Sequence, residues 1–316
     1  MMNLTDSFLL QLGQLGFVLL LSPLIAGVLN RMKEFVQGKV GPSVFQPYRD
    51  LRKLFQKERL VPEDAGWVYR AAPYIYFAAP LIVTMLIPVL TSFPLFMAFA
   101  GDMMAGGFIL GLGTYFLLVG ATAGASPYGG IGSTRARFVS MSVEPVLILV
   151  LFAVSFATHA AIPYIVNKSL WGLGWSPIHL LLIVAFFAIL LAETGRIPVD
   201  NPSSHHEFSM IDHNRVYDYS GPDLALLQWG GWMKFVALGV ILMNVITTPY
   251  GLAAKVSVLS LLWAVVSLLI KFFLLDALIV WVESSFAKLR LLRIAEFMAG
   301  AALLAVIADV LTIVGL

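Results

Sequence analysis

Long hydrophobic stretches recur along the whole chain and are separated by segments that hold most of its charged residues. A helix needs about 20 apolar residues to cross the hydrocarbon core of a bilayer, and the stretches reach that length. They predict an all-α fold, a polytopic membrane helix bundle that forms one integral membrane domain over residues 1–316. The pattern predicts about eight transmembrane helices, at 7–29, 72–98, 103–126, 140–162, 176–195, 223–247, 256–282 and 295–315.

Composition supports a membrane protein and narrows the classes of function. Hydrophobic residues make up 59% of the chain and charged residues 12%, whereas soluble domains average about 25% charged residues. The absence of cysteine excludes disulfides, thiolate-bound zinc and cysteine-ligated iron–sulfur clusters. We therefore expect a chain that has no redox centre of its own and functions inside a larger membrane complex. The first cationic residue is Arg31, so we expect the first helix to be a retained anchor rather than a signal peptide.

The distribution of Lys and Arg predicts the orientation. With eight helices, sixteen of the twenty Lys and Arg residues fall in segments on one side of the membrane, and only Lys168 and Lys255 fall in segments on the other side. Cytoplasmic segments of membrane proteins carry the excess of positive charge. We therefore expect a multi-pass protein of the cell inner membrane, with the basic segments in the cytoplasm and both termini on the non-cytoplasmic side.

Two of the predicted cytoplasmic segments are long. The first, 30–70, contains an amphipathic helix over 45–60 with apolar residues on one side and basic residues on the other. These residues are Tyr48, Leu51, Leu54 and Phe55, and Arg49, Arg52, Lys53 and Lys57 respectively. Such a helix suits the lipid headgroup region. The second segment, 196–222, faces the same side.

Several ionisable residues fall inside the predicted helices. A charged group near the bilayer centre costs on the order of 2.5 kcal/mol or more unless it is paired or hydrated, so each is a candidate for ion or proton handling. The residues are Glu144, Glu193, Lys234, Lys271, Asp276 and Asp309, with Glu283 and Glu296 near helix ends.

Glu144 directly precedes Pro145 in the fourth predicted helix. Proline has no N–H for the carbonyl of Met141, and an unpaired carbonyl in apolar surroundings recruits water or another donor. A carboxylate beside such a turn suits a site where a proton stops. The other interpretation is a glutamate at a helix end that reaches water, and the sequence leaves both open.

Spacing predicts partners for some of the other ionisable residues. Glu193 and Arg196 are three residues apart, which favours a pair within one helix. Lys271 and Asp276 either flank a hydrated path or neutralise neighbours on facing helices. No nearby residue in the sequence suits Lys234, so we expect its partner on another helix.

The segment 196–222 concentrates titratable side chains, including three of the five histidines. They are Asp200, His205, His206, Glu207, Asp212, His213 and Asp218. A metal site is one interpretation, but the spacing does not match HExxH and no cysteine assists. Because histidine titrates near neutral pH, we favour a loop that contacts a partner protein and supplies protons to the buried carboxylates, and we predict no metal.

Three stretches together resemble the H-type membrane protein of respiratory complex I and its relatives in membrane-bound group 4 nickel–iron hydrogenases. The first comprises Gly41, Pro42, Gln46, Pro47, Asp50, Lys53, Leu54, Lys57 and Glu58. The second comprises Arg135 and 142–144. The third comprises Ala192, Glu193, Arg196, Pro198, Asp200, Pro202, Glu207 and 219–221.

The chain departs from the quinone-reducing members of that family in one of these stretches. Ser203 and His205 stand where those members have carboxylates, while Glu207 is kept. The variant at 195–202 is similar to the membrane subunits of formate hydrogenlyase and hydrogenase-4. That similarity implies electron transfer to protons to make H₂, or the reverse, in a peripheral nickel–iron subunit.

The resemblance implies a membrane anchor and ion-coupling subunit that binds no cofactor itself. A nickel–iron centre and iron–sulfur clusters are expected in partner subunits. The expected partners are the nickel–iron hydrogenase large and small subunits, an iron–sulfur protein and antiporter-like membrane subunits. The chain is also expected to contact the lipid bilayer, and no nucleic acid is expected. The expected proton path comprises Glu144, Glu193, Asp200, Glu207, Lys271 and Asp276. The residues expected to couple and dock the loops are Arg135, Arg196, His205, His206, Asp218, Tyr219, Gln46, Asp50 and Lys53.

Two other functions remain open at the level of sequence. The first keeps the architecture and makes the chain the quinone-binding subunit of an NADH:quinone oxidoreductase. The second is a stand-alone secondary transporter, for which inverted repeats and broken helices at matching positions are typical; neither is visible in the sequence.

Overall fold

The computed structural model describes residues 4–124, 126–173, 176–201, 210–247 and 250–314. Over these ranges the chain folds into helices and their connections, with a single isolated β-bridge between Thr91 and Ala253. The α-helices are α1 Leu4–Val36, α2 Gln46–Phe55, α3 Trp67–Leu86, α4 Met103–Ala123, α5 Pro127–Thr158, α6 Pro163–Leu173, α7 Pro177–Glu193, α8 Gly221–Val240, α9 Val258–Ser285 and α10 Leu291–Val314. A short 3₁₀ helix spans Asn214–Val216, and a π-helix continues α8 over Ile241–Thr247.

The prediction of an all-α membrane bundle is confirmed. Among the described residues, six helices are long and apolar enough to cross a membrane: α1, α4, α5, α8 with its π-helical extension, α9 and α10. Helix α7 is apolar but has only 17 residues, and α3 contains Pro73 and Pro80. A helix therefore lies at each of the eight predicted positions, while the number of complete spans and the side of the termini stay predictions.

Two of the predicted helix boundaries were wrong. The helix expected over 72–98 ends at Leu86, since Ile87 is extended (φ −103°, ψ 152°), and the residue before a proline disfavours the helical conformation. The helix expected over 140–162 begins thirteen residues earlier. The Ser126 side chain accepts a hydrogen bond from the Gly129 N–H, and Pro127 occupies the first turn, where its missing N–H has no cost.

Contacts between the connecting segments define two ends of the bundle. At one end, which we call the basic face, the segments 37–66, 194–201, 210–220 and 286–290 meet. The Leu289 N–H donates to the Pro198 carbonyl, for example. At the other end, the opposite face, the segments 87–102, 159–173 and 250–257 meet. There the Ser92 N–H donates to the Ala253 carbonyl, and the Met103 N–H donates to the Ala161 carbonyl.

Helices α3 and α4 pack closely because α4 presents small residues. A Cβ atom at Gly113 would lie 2.8 Å from the Cβ of Ala79, and one at Gly120 would lie 2.7 Å from the Cβ of Ala72. Small residues at such positions allow helix backbones to approach in membranes. This packing fixes α4, and with it the hydroxyl of Thr114, against the centre of the bundle.

Candidate functional site

The centre of the candidate site is an ion pair between helices α7 and α8. The Lys234 ammonium contacts the carboxylate of Glu193, and their side chains are 4% and 8% exposed. Lys234 also donates to the Thr114 hydroxyl at 2.9 Å. The predicted partner for Lys234 on another helix is thereby confirmed, and three helices meet at one buried polar point.

The pair predicted between Glu193 and Arg196 was wrong. Helix α7 ends at Glu193, and Gly195 then adopts a left-handed conformation (φ 59°) that turns the chain. Arg196 therefore leaves the helix and lies 3.5 Å from Glu283 of α9, which also binds Lys33 of α1 at 3.0 Å. A spacing of three residues brings two side chains together only where the helix continues through both of them.

Asp200 joins the two described parts of the 196–222 segment. One of its carboxylate oxygens accepts hydrogen bonds from the backbone N–H groups of Ile211 and Asp212 at 3.1 and 3.0 Å. The other accepts from the Asn201 N–H at 2.8 Å and forms an ion pair with Lys288 at 2.6 Å. With a buried side chain surrounded by donors, Asp200 stabilises the shape of the segment.

A cavity of about 200 Å³, with several charged side chains in its lining, adjoins the central pair. Charged residues in its lining are Glu193, Arg196, Asp212, Arg215 and Lys234. The Arg215 guanidinium is buried and binds Asp212 at 2.9 Å; burial acts to lower its pKa, but the carboxylate of Asp212 and its other acidic neighbours raise it. At about 30 Å³ per water, the cavity has room for several molecules between the pair and the basic face.

Glu144 lies in a groove between α4 and α5. Its side chain is half-buried beside Gly111, where a Cβ atom would lie 3.6 Å from the carboxyl carbon. The groove has a volume of about 820 Å³, and its walls are mostly apolar. Glu193 and Lys234 are the charged groups that act electrostatically on Glu144. The carboxylate thus stands between the central pair and the outer surface of the bundle.

Lys271 and Asp276 face other parts of the molecule. Lys271 donates to the Asn244 side-chain oxygen at 2.8 Å and to the Tyr250 carbonyl at 2.7 Å, which ties it to the opposite face. Asp276 is 1% exposed, and one of its oxygens is buried without a hydrogen-bond partner among the described residues. Arg196 is the charge that acts on it.

The residues expected to dock partners lie in different environments. Gln46 donates to Asp50 at 2.9 Å within α2, and Lys53 is exposed on the same helix. Arg135, expected in a loop, lies in α5 because that helix starts at Pro127. His205, His206 and Glu207 lie outside the described residues. Among those that are described, no group of three or more His, Asp or Glu could hold a metal.

Tyr219 is an interior residue rather than part of a docking surface. Its ring stacks on Tyr69 of α3, with centroids 4.3 Å apart, and is 3% exposed. Burial raises the pKa of its hydroxyl, as do Tyr69 and the nearby carboxylates. The Tyr69 hydroxyl donates to the Asp218 carbonyl at 2.6 Å. Asp218 and Tyr219, which were both expected to couple or dock the loops, therefore hold the segment 210–220 against α3.

Sequence reasoning missed an ion pair at the start of α8. Arg59, in the connection after α2, binds Asp223 at 2.6 Å. The Leu60 N–H also donates to the Ser220 hydroxyl at 2.8 Å. The sequence showed only an aspartate in the first turn of a helix. Aspartate is common there because the helix dipole favours a negative charge, so it did not indicate an ion pair.

Known proteins resemble this chain in fold and in sequence. The archaeal membrane-bound sulfane sulfur reductase complex contains a chain that superimposes with a TM-score of 0.84 at 22% identity, covering 97% of this chain and 99% of that one. Hydrogenase-4 component C of Escherichia coli is 29% identical over 297 residues (92% of each chain), and formate hydrogenlyase subunit 4 of the same organism is 28% identical over 274 residues (85% and 87%).

A third relative comes from another kind of complex. The H-type membrane protein of the NADH-quinone oxidoreductase of Paraburkholderia phymatum is 29% identical over 270 residues, covering 80% of this chain and 73% of that protein. The sequence pattern of the NADH dehydrogenase family matches residues 10–314. The resemblance inferred from the three stretches is confirmed, and this chain belongs to the NADH dehydrogenase family of membrane proteins.

Proposed function

We propose that this chain is the membrane anchor and ion-coupling subunit of a membrane-bound nickel–iron hydrogenase of the formate hydrogenlyase type. The relatives named for hydrogenase-4 and formate hydrogenlyase, which match along most of their length, support this proposal. The basic face lies in the cytoplasm and docks the hydrogenase and iron–sulfur subunits, which hold the metal centres. The chain itself lies in the cytoplasmic membrane beside antiporter-like subunits.

The observation that carries the coupling role is the buried Glu193–Lys234 pair beside a cavity with charged side chains in its lining. Desolvating two charges costs several kcal/mol per ion, and apolar residues would fill the same space more cheaply. Water in the cavity connects the pair to the basic face. The Glu144 carboxylate then offers the next site, in a groove that opens on a neighbouring membrane subunit.

The 196–222 segment links this path to the docked partner. Asp200 and Lys288 hold the segment on the basic face, while Arg196 and Arg215 line the cavity beside the pair. A movement of the segment on docking or electron transfer shifts these cations and changes the field at Glu193. Coupling of this kind is a free-energy linkage between two states of the segment, with Glu207 as a further carboxylate of the path.

The cavity beside the central pair is smaller than the usual pocket for an organic ligand, so it suits water and protons rather than a quinone. Pockets for organic ligands usually measure about 300–1,000 Å³, whereas the cavity beside Arg196 and Lys234 has about 200 Å³. The stacked rings of Tyr69 and Tyr219 fill the neighbouring space.

The test replaces Glu144 or Glu193 with glutamine in the assembled complex. We expect H₂ evolution to continue while proton pumping into inverted vesicles is lost, because the amide cannot exchange a proton at these positions. Glu63→Gln, at an exposed position in the connection after α2, is the control and should leave both activities unchanged. Unchanged pumping in both Glu144→Gln and Glu193→Gln would disprove the path.

The second candidate is the quinone-binding subunit of an NADH:quinone oxidoreductase, which the Paraburkholderia relative supports. This function predicts that the purified complex reduces a soluble quinone, that quinone-site inhibitors block it, and that an NADH-oxidising module co-purifies. The hydrogenase proposal predicts none of these.

A further inference from the structure

A second large cleft lies on the opposite face, away from the Glu193–Lys234 pair. It has a volume of about 600 Å³ and is formed by the connection after α3, by α6 and by the start of α9. Phe93, Tyr164 and Tyr250 are among its lining residues, with Phe99 and Trp263 at the outer side. This volume lies within the range of about 300–1,000 Å³ that is usual for pockets that bind organic ligands.

The open side of the cleft has the composition of a membrane–water interface. Phe99, Tyr250 and Trp263 are 63%, 54% and 64% exposed. Tryptophan and tyrosine concentrate where helices leave the hydrocarbon core, and Trp263 stands in the second turn of α9. The wall of the cleft is therefore exposed to acyl chains at the depth where headgroups begin.

Positive charge on this face is concentrated at the same cleft. Lys168 and Lys255 are the two Lys or Arg residues in the segments that connect the helices here. Lys168 lines the cleft, and Lys255 directly follows the lining residue Ala254. Both are exposed, and neither forms an ion pair with a described residue. The cleft thus combines an apolar wall with the exposed ammonium of Lys168, and Lys255 follows its lining in the sequence.

We propose that this cleft binds one anionic phospholipid. Lys168 and Lys255 bind the phosphate group, and an acyl chain packs along Phe99 and Trp263. A lipid with a negatively charged headgroup matches both the charge and the apolar wall, whereas a transmembrane helix of a neighbouring protein would leave two lysines without partners.

The bound lipid supports the polar network that closes the opposite face. The backbone carbonyl of Tyr250, a lining residue, accepts a hydrogen bond from Lys271. Asn167, another lining residue, donates to the Asn244 carbonyl in the π-helix at 2.6 Å. Occupation of the cleft therefore restrains the residues that hold α9 against the end of α8.

Trp263 provides a probe of occupancy. The complex is reconstituted into nanodiscs that contain brominated phosphatidylglycerol or brominated phosphatidylcholine, because bromine quenches the fluorescence of a tryptophan in contact with it. The chain has seven tryptophans, so the signal of Trp263 is the difference between the unaltered chain and Trp263→Phe. We expect stronger quenching by the anionic lipid at equal lipid content.

Replacement of the lysines measures the contribution of charge. Lys168→Ala and Lys255→Ala should each lower the preference for phosphatidylglycerol roughly fivefold, from the attraction typical of one lysine near an anionic headgroup. Lys39→Ala, an exposed lysine on the basic face, should leave it unchanged. Both substituted positions lie on the surface, so folding is expected to persist, and the melting temperature of each variant checks this.

Two results would overturn the proposal. Equal quenching by both lipids would mean that only ordinary annular lipid reaches Trp263. An absence of quenching by either lipid would mean that another protein subunit fills the cleft. Retention of phosphatidylglycerol in native mass spectra, lost in the double lysine variant, would support the site independently of fluorescence.

Discussion

At the scale of single residues, two of the charges inside the bundle, Lys234 and Glu283, are tolerated because they have partners from other parts of the chain. Lys234 combines the carboxylate of Glu193 with the hydroxyl of Thr114, and Glu283 lies between Lys33 and Arg196. Removing one member of such a pair leaves an uncompensated charge in apolar surroundings, which costs far more than removing both.

Lys234→Met therefore tests the central pair. We expect the free energy of unfolding to fall by about 3–5 kcal/mol, because Glu193 loses its counter-charge. The double variant Lys234→Met with Glu193→Gln should recover most of this loss. Thermal unfolding in detergent, followed by near-UV circular dichroism, measures both.

The matched control for this pair is Lys39→Met, since Lys39 is exposed in the connection after α1. A loss in the double variant as large as that of Lys234→Met would show that the charge left on Glu193 is not the cause of the destabilisation. The sequence indicated that Lys234 required a partner, but it could not indicate Glu193, because a contact between α7 and α8 depends on tertiary packing.

At the scale of elements, hydrophobic runs located the helices because length and apolarity are properties of the local sequence. The boundaries failed where a local rule competed with hydrophobicity. Residues 87–98 are apolar but leave the helix at Ile87, ahead of a proline. Arg135 was expected to lie outside the membrane, yet Ser126 and Pro127 had already started α5. The candidate site shows the same dependence on local sequence. Glu144 was singled out because it directly precedes a proline, whereas the Arg59–Asp223 pair joins residues far apart in the chain and was missed.

The connection after α2 is the element whose attachment is easiest to release. Arg59 is 37% exposed at its side chain and Asp223 is 2% exposed, so after allowance for solvent screening we expect Arg59→Ala to cost about 1 kcal/mol. Local opening should then increase roughly fivefold. Limited digestion with trypsin at Lys57 measures it.

The control for this release is Arg52→Ala, at an exposed position on α2. It should leave the rate of cleavage at Lys57 unchanged. If Arg59→Ala also leaves that rate unchanged, the hydrogen bond between the Leu60 N–H and Ser220 is sufficient to hold the connection, and the ion pair is unnecessary.

At the scale of the whole molecule, the two faces have different tasks in the proposed complex. The basic face presents exposed cations, including Lys53 of α2, to partner proteins. The opposite face closes around hydrogen-bonded connections. A chain built in this way is complete only when its basic face is covered, which agrees with relatives that are named as components of larger complexes.

Purification in a mild detergent tests this assembly. We expect nickel–iron and iron–sulfur subunits to co-purify with the chain. Lys53→Glu should reduce their yield, because it reverses a charge on the docking helix, whereas Lys168→Glu on the opposite face should not. Recovery of the chain alone in a transport-active form would support a secondary transporter instead.

Main-chain hydrogen bonds join the connections at both ends of the bundle, but ion pairs between described residues reinforce the basic face, and this predicts how the protein responds to its solution. Main-chain hydrogen bonds join Ser92 to Ala253 and Met103 to Ala161, and they are insensitive to ionic strength. Partly exposed cations, Arg59 and Lys288, complete the attachments at the other end. Salt weakens such pairs at their exposed side, although less than it weakens fully exposed pairs. Raising the salt concentration will therefore loosen the protein at the basic face first, while the opposite face keeps its connections.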